Sequence, residues 1–181
     1  MKSILRYTAA GLALASLGFA SNASAATASA QVAAEVLSTL QLRVVATDNT
    51  LNFGTVTDAG LTADSTVVVS PLGAVACGTN LTCAGTANAP TFEISGFTGS
   101  TVVVSFPGGP VDLTRSGTAL AGLDNDMQVS AFTTSLASNQ RTLVAGGFTA
   151  NPFTIGGTLT VSQLQAPGVY TGAVSVEVQY N

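Results

Sequence analysis

GVYTGAVSVEVQYN, residues 168–181, closes the chain and decides its fold class. From residue 174 onward, the apolar positions share one parity: Val174, Val176, Val178 and Tyr180. The residues between them are polar or charged. Successive side chains of a β-strand point to opposite faces, so this alternation predicts a half-buried strand that runs to the C-terminus.

Short alternating runs of this kind recur along the chain, separated by stretches rich in Gly, Pro or Asn. No segment after the first 25 residues carries the three- and four-residue spacing of an amphipathic helix. We therefore predict an all-β protein, a single antiparallel β-sandwich of immunoglobulin-like type. The other candidate strands are residues 31–45, 50–57, 65–70, 91–95, 101–106, 111–114, 127–134, 142–145 and 157–162.

Residues 1–25 have the features of a secretory signal peptide. Lys2 and Arg6 precede an apolar stretch over 8–20, and Ala23-Ser24-Ala25 forms a small-residue cleavage site. The sequence thus predicts export to the periplasm, cell surface or extracellular space, with residues 26–181 forming the sandwich. We expect no transmembrane segment in the mature chain, because no later stretch reaches 18 consecutive apolar residues.

Charge and composition argue against several functions. The chain has no His, and with the signal peptide removed three arginines face nine acidic residues, a net charge of −6. Such a chain lacks the basic surface that binds nucleic acid. Without His, neither a Ser-His-Asp nor a Cys-His catalytic site is possible. We therefore expect no enzymatic activity, no catalytic residues and no cofactor.

The two cysteines are expected to pair. Cys77 and Cys83 form an even thiol count in an exported protein, which favours a disulfide. A metal site would need further soft ligands, and the sequence offers none nearby. Whether Asp112, Asp124 and Asp126 bind calcium stays open, because an Asp-Asn-Asp stretch is first of all a turn.

The N-terminal segment, about residues 30–45, is predicted to be extended and unusually long. Val32, Ala34 and Val36 share one parity, which Leu40 and Leu42 continue. Fifteen residues of strand would span about 50 Å, whereas a domain of this size is about 30–40 Å across. The segment should therefore break near residues 38–39 or project. A projecting strand would pair with another subunit's sheet edge, and a bent one would change sheets within its own domain.

Two motifs carry a family resemblance. LNFG (51–54) and GVYTG (168–172) resemble the motifs of a family of exported bacterial proteins classed as a domain of unknown function. The chain more distantly resembles the spore coat U-like subunits of archaic chaperone–usher pili. Pilus subunits have a glycine fourteenth from the end and a penultimate aromatic residue, positions filled here by Gly168 and Tyr180.

The resemblance implies a structural or surface subunit that assembles by β-strand exchange and is held by a periplasmic chaperone. The implied donor strand contains Val32, Ala34 and Val36. The implied C-terminal assembly strand contains Gly168, Val174, Val176, Val178 and Tyr180. The close spacing of the cysteines departs from the pilus pattern and favours the unknown-function family. The alternative function is a monomeric periplasmic or secreted binding module that uses loops such as 71–90.

Overall fold

A computed structural model describes residues 36–181, so the predicted signal peptide lies outside the described residues. This part of the chain forms strands and two short 3-10 turns, Ala137–Asn139 and Phe148–Ala150. The strands are β1 Gln41–Val44, β2 Thr55–Asp58, β3 Ser65–Val69, β4 Val75–Cys77, β5 Leu81–Ala84, β6 Thr91–Ser95, β7 Thr101–Ser105, β8 Val111–Arg115, β9 Asp126–Thr134, β10 Gln140–Thr142, β11 Pro152–Val161, β12 Tyr170–Thr171 and β13 Glu177–Tyr180. The all-β prediction is confirmed.

All strand pairs are antiparallel and are organised around β11, the longest strand. The main sheet has the order β1-β6-β11-β9-β8-β12, and β3 pairs with the same edge of β11 that β6 uses. The second layer consists of two small sheets, β10-β7-β13 and β2-β5. The result is a sandwich in which one continuous sheet faces two short ones.

The two short sheets cover two apolar clusters that follow each other along β11. Core 1 lies against β2 and β5 and contains Phe53, Val67, Val69, Leu81, Ala89, Val129, Leu159 and Val161. Core 2 lies against β10, β7 and β13 and contains Ile94, Val102, Val104, Leu143, Phe153 and Ile155. The first residues of β11 therefore serve core 2 and its last residues serve core 1.

The strand β11 begins before the predicted 157–162 because its two central glycines do not interrupt it. A Cβ on Gly156 would lie 2.3 Å from the Val69 carbonyl oxygen, so glycine permits the close approach of β3. At this point the pairing with β9 shifts register, and Ala131 of β9 has a positive φ of 49°. These are the features of a β-bulge, in which an extra residue bends the strand.

The strands β4 and β5, which pair with β3 and β2 respectively, were not predicted from the sequence. β4 is exposed along its whole length and Leu81 is the one buried residue of β5, so no run of apolar alternation marks either strand. The disulfide between Cys77 and Cys83 joins these two strands, with a Cα–Cα distance of 5.9 Å. Because β4 belongs to the main sheet and β5 to the second layer, the bond ties the two layers together beside core 1.

The LNFG motif has a structural role in core 1. Phe53 is buried in this core and Leu51 packs against it. Between them, the side-chain oxygen of Asn52 accepts a 2.9 Å hydrogen bond from the Gly54 N–H. Gly54 has a φ of 75°, and a Cβ there would lie 2.6 Å from the Ala84 carbonyl oxygen. The motif therefore anchors the start of β2 on core 1, and none of its side chains is chemically reactive.

Candidate functional site

The C-terminal segment changes sheets instead of forming one continuous strand. Residues 170–171 pair with β8 of the main sheet, whereas residues 177–180 pair with β7 of the second layer. The alternating stretch begins at Val174, but β7 ends at Ser105 opposite Glu177. Pro107 and Pro110 follow β7 and have no N–H to donate, so β13 is shorter than its sequence pattern.

The outer edge of β13 carries free main-chain groups within the described residues. The Asn181 N–H donates a 3.0 Å hydrogen bond to the Thr101 carbonyl. With the register of β13 on β7, this bond shows that residues 177, 179 and 181 direct their main-chain groups toward β7. Residues of an antiparallel strand face their partner alternately. The N–H and C=O groups of Val176, Val178 and Tyr180 therefore point away from β7. Within residues 36–181, no main-chain group forms a hydrogen bond with this edge.

The side chains along this edge cover core 2 only partly. Val104 and Ile155, at the centre of core 2, are at most 2% exposed. The C-terminal apolar side chains and two from the N-terminal side pack against this core but stay half-buried: Leu40, Leu42, Val174, Val176, Val178 and Tyr180. These six side chains form a half-buried apolar surface beside β1 and β13, on the open side of core 2, and we call this surface the groove.

The hydroxyl of Tyr180 closes one end of this groove. It accepts a 2.8 Å hydrogen bond from the Phe97 N–H and donates a 2.9 Å hydrogen bond to the Ser38 carbonyl. Gly96 makes room for it, since a Cβ there would lie 2.6 Å from the hydroxyl oxygen. We call this end, formed by residues 36–40, 96–100, 141–147 and Tyr180, the arm pole. The chain enters β1 where β13 ends.

The arm, residues 30–38, is the predicted donor segment. Of its three donor-face residues, Val32 and Ala34 lie outside the described residues. The third, Val36, is 86% exposed, and regular strand begins only at Gln41. The break predicted near residues 38–39 stays a prediction, because residues 30–35 lie outside the described residues. At Val36 the arm is therefore available to another surface.

Gly168 does not lie on the β13 edge. It precedes β12, where a Cβ would lie 2.6 Å from the Arg115 Nε atom. Arg115 Nε in turn donates a 2.7 Å hydrogen bond to the Pro167 carbonyl. Two residues later, the Tyr170 hydroxyl accepts a 2.7 Å hydrogen bond from Gln165 and contacts the Ala166 carbonyl at 2.5 Å. The GVYTG motif thus stabilises the turn that precedes β12, before the chain passes from the main sheet to the second layer.

The acidic residues considered for calcium do not form a cluster. Asp112 accepts a 3.2 Å hydrogen bond from Gln128, and Asp124 accepts one from Ser162. In residues 36–181, no three acidic, His or Cys side chains converge closely enough to hold a metal ion.

A second surface feature is a shallow groove at the tip of the β3–β4 hairpin. It is lined by Asp48, Pro71, Leu72, Gly73, Asn88, Ala89, Thr91 and Thr154. Hydrogen bonds from Asn88 and then Thr91 lower the pKa of the Asp48 carboxyl below its ordinary value, against a small opposing effect of burial. Thr154 is likewise engaged, donating a 2.6 Å hydrogen bond to the Pro71 carbonyl. The polar groups of this groove therefore already form hydrogen bonds within the protein.

Sequence reasoning missed the partners of Tyr180. Ser38 and Phe97 contribute main-chain groups, and any residue type would supply those, so no sequence signal marks them. Gly96 was also unmarked, because a glycine after a strand reads as a turn.

Fold and edge together define a class: a β-sandwich whose C-terminal strand β13 has an open edge close to residues 38–40. The chain belongs to the family described as domain of unknown function DUF4402, whose model matches residues 42–180. No curated protein and no solved structure matches the chain with significance. Within residues 36–181, no helix is long and apolar enough to cross a membrane.

Proposed function

We propose that this chain is an exported structural subunit that assembles by β-strand addition, the arm of one copy pairing with the β13 edge of the next. The observation that carries the proposal is the outward row of main-chain groups at Val176, Val178 and Tyr180 beside a half-covered core. An added strand would satisfy those groups, and its alternate side chains would fill the groove.

The arm has suitable length and pattern for this edge. Nine extended residues span about 30 Å, and the stretch from Val174 to Tyr180 spans about 23 Å. Val32, Ala34 and Val36 would face the groove, since alternate residues of a strand share one face. Residues 31 and 35, Gln and Glu, would face solvent.

Pairing within one chain is less favourable on geometric grounds. The chain reaches Ser38 at the arm pole, where β13 ends, so an arm on its own β13 would run parallel to that strand. It would then have to reverse direction before β1 begins at Gln41. Parallel pairing is slightly less stable per residue than antiparallel pairing. An arm from a second copy avoids both constraints and can pair antiparallel.

Export and a periplasmic chaperone complete the proposal. An unpaired edge beside a half-covered core is prone to unwanted association until its partner strand arrives. A chaperone that occupies the β13 edge before assembly would suppress that association. The disulfide between Cys77 and Cys83 suits an oxidising compartment.

The alternative is a monomeric binding module that uses residues 71–90. Leu72 at the hairpin tip is 90% exposed, which favours contact with another molecule. The polar groups of the neighbouring groove are already paired with one another, so this surface offers less specific recognition than the β13 edge.

Deleting residues 31–37 should abolish assembly and leave the midpoint of thermal unfolding unchanged. The reason is that the arm contributes to a neighbour's core and not to its own. Size-exclusion chromatography and a thermal melt of the exported chain measure both quantities. Val36→Asp should also block assembly, whereas Glu35→Lys, on the opposite face, should not. If the protein without the deletion is a monomer and the deletion lowers the midpoint sharply, the arm belongs to its own domain and the proposal is wrong.

A further inference from the structure

Exposed apolar side chains gather at the end of the molecule opposite the arm pole. We call this end the loop pole and define it as residues 116–125 and 162–169. Leu164 is 53% exposed and Val169 is 68% exposed, while Leu120 and Leu123 are each 36% exposed. These four account for a third of the large exposed apolar residues in the part of the chain that the structure describes.

Main-chain hydrogen bonds hold the two loops of this pole together. The Asp124 N–H donates to the Leu164 carbonyl at 2.9 Å, and the Ser116 N–H donates to the Val169 carbonyl at 2.8 Å. The Asn125 side chain bonds both the N–H and the C=O of Leu120. The exposed apolar side chains therefore project from two loops whose main chains are held in place by hydrogen bonds.

Strand direction determines which surface this pole meets. β13 runs toward the arm pole of its own subunit. An arm that pairs antiparallel with it begins near that arm pole and ends, at residues 36–38, beside the start of β13, on the side of the acceptor that faces its loop pole. Residues 36–38 continue directly into the donor's own arm pole. Antiparallel strand addition therefore turns the donor's arm pole toward the acceptor's loop pole.

The arm pole carries exposed apolar groups of its own. Leu37 is 42% exposed and Phe97 is 38% exposed. Val144, 49% exposed, follows Leu143, whose carbonyl accepts a 2.8 Å hydrogen bond from the Gly99 N–H. Both poles thus offer apolar surface that solvent covers in an isolated subunit.

We infer that the loop pole is a docking surface for a second copy of this chain, which it contacts through that copy's arm pole. This inference rests on the proposed function and adds the subunit contact that accompanies the exchanged strand. Because the two surfaces lie at opposite ends of one subunit, the contact is heterologous. Repetition of a heterologous contact that does not close gives an open filament.

The test uses the full exported chain with Phe97 replaced by p-benzoylphenylalanine. After photolysis of assembled protein, mass spectrometry should place intermolecular cross-links in residues 116–125 and 162–169. Cross-links between position 97 and the partner's residues 96–100 or 141–147 would mean that arm poles meet each other, and would overturn the inference.

A pair of variants provides a second measurement. Leu164→Ser combined with Val169→Ser should raise the concentration needed for assembly by about tenfold, since two apolar side chains lose their burial at the contact. Leu72→Ser, at an exposed leucine away from both poles, is the control and should change that concentration less than twofold. An unchanged assembly concentration in the double variant would overturn the inference.

The failure of this inference is distinguishable from failure of the proposed function. An excess of a peptide with the arm sequence, residues 30–38, competes for the β13 edge in the unmodified chain. If the peptide blocks assembly while the loop-pole variants have no effect, strand addition stands and the docking surface is refuted. If the peptide does not affect assembly, the proposed function fails and the inference fails with it.

Discussion

Gly156→Ala is expected to lower the free energy of unfolding by about 3 kcal/mol, at the upper end of typical overpacking effects. The new Cβ would lie 2.3 Å from the Val69 carbonyl oxygen and 2.7 Å from the Ser70 carbonyl carbon. Both are main-chain atoms, so no side chain can rotate away. β3 would have to separate from β11, and core 1 would open. Chemical denaturation of the purified protein measures the change.

Gly157→Ala is the matched control for that substitution. A Cβ at this position would meet only side-chain atoms, 3.1 Å from Val129 and 3.3 Å from Leu51 and Phe132. These side chains can shift by a few tenths of an ångström, so we expect a loss of about 1 kcal/mol or less. Equal losses from the two substitutions would contradict the role assigned to the close approach of β3 and β11.

Val176→Asp is expected to abolish assembly and to lower the free energy of unfolding by about 2 kcal/mol. The Val176 side chain packs against core 2, and its main chain lies on the open edge. A carboxylate there would sit in the groove that the donor strand fills. Sedimentation velocity measures assembly, and denaturant unfolding measures stability.

The neighbouring substitution Glu177→Lys separates the two faces of β13. Glu177 is exposed and its main chain faces β7, so the change should stay within about 0.5 kcal/mol and leave assembly intact. Similar effects from Val176→Asp and Glu177→Lys would show that the assigned faces are wrong.

Local patterns predicted much of the fold. Alternation predicted β6 at its observed bounds, Thr91–Ser95, because a strand with one buried face must alternate. It could not predict β4, which is exposed along its whole length, or β5, which is four residues long and buries only Leu81. It also placed the start of β11 too late. The Gly156-Gly157 pair resembles a strand end in the sequence, but in the fold Gly156 leaves room for the main chain of β3. Close approach is a tertiary property and leaves no mark in a single strand.

The sequence predicted the candidate site only in part. The parity of Val174, Val176 and Val178 was visible, and the structure places these side chains against core 2. The sheet change between Thr171 and Glu177 was not visible, since it depends on where β7 and β8 end. The bond from Tyr180 to Ser38 spans 142 positions and ends on a main-chain atom, so no local pattern encodes it.

Amide hydrogen exchange along β13 tests the central claim most directly. In the variant that lacks residues 31–37, the amides of Val176, Val178 and Tyr180 should exchange quickly, because they face the open edge. Addition of the arm peptide should slow their exchange at least tenfold. The amides of Glu177 and Gln179 face β7 and should be protected with and without the peptide. The account is contradicted if the three outward amides are already protected without the peptide, or if the peptide leaves their exchange unchanged.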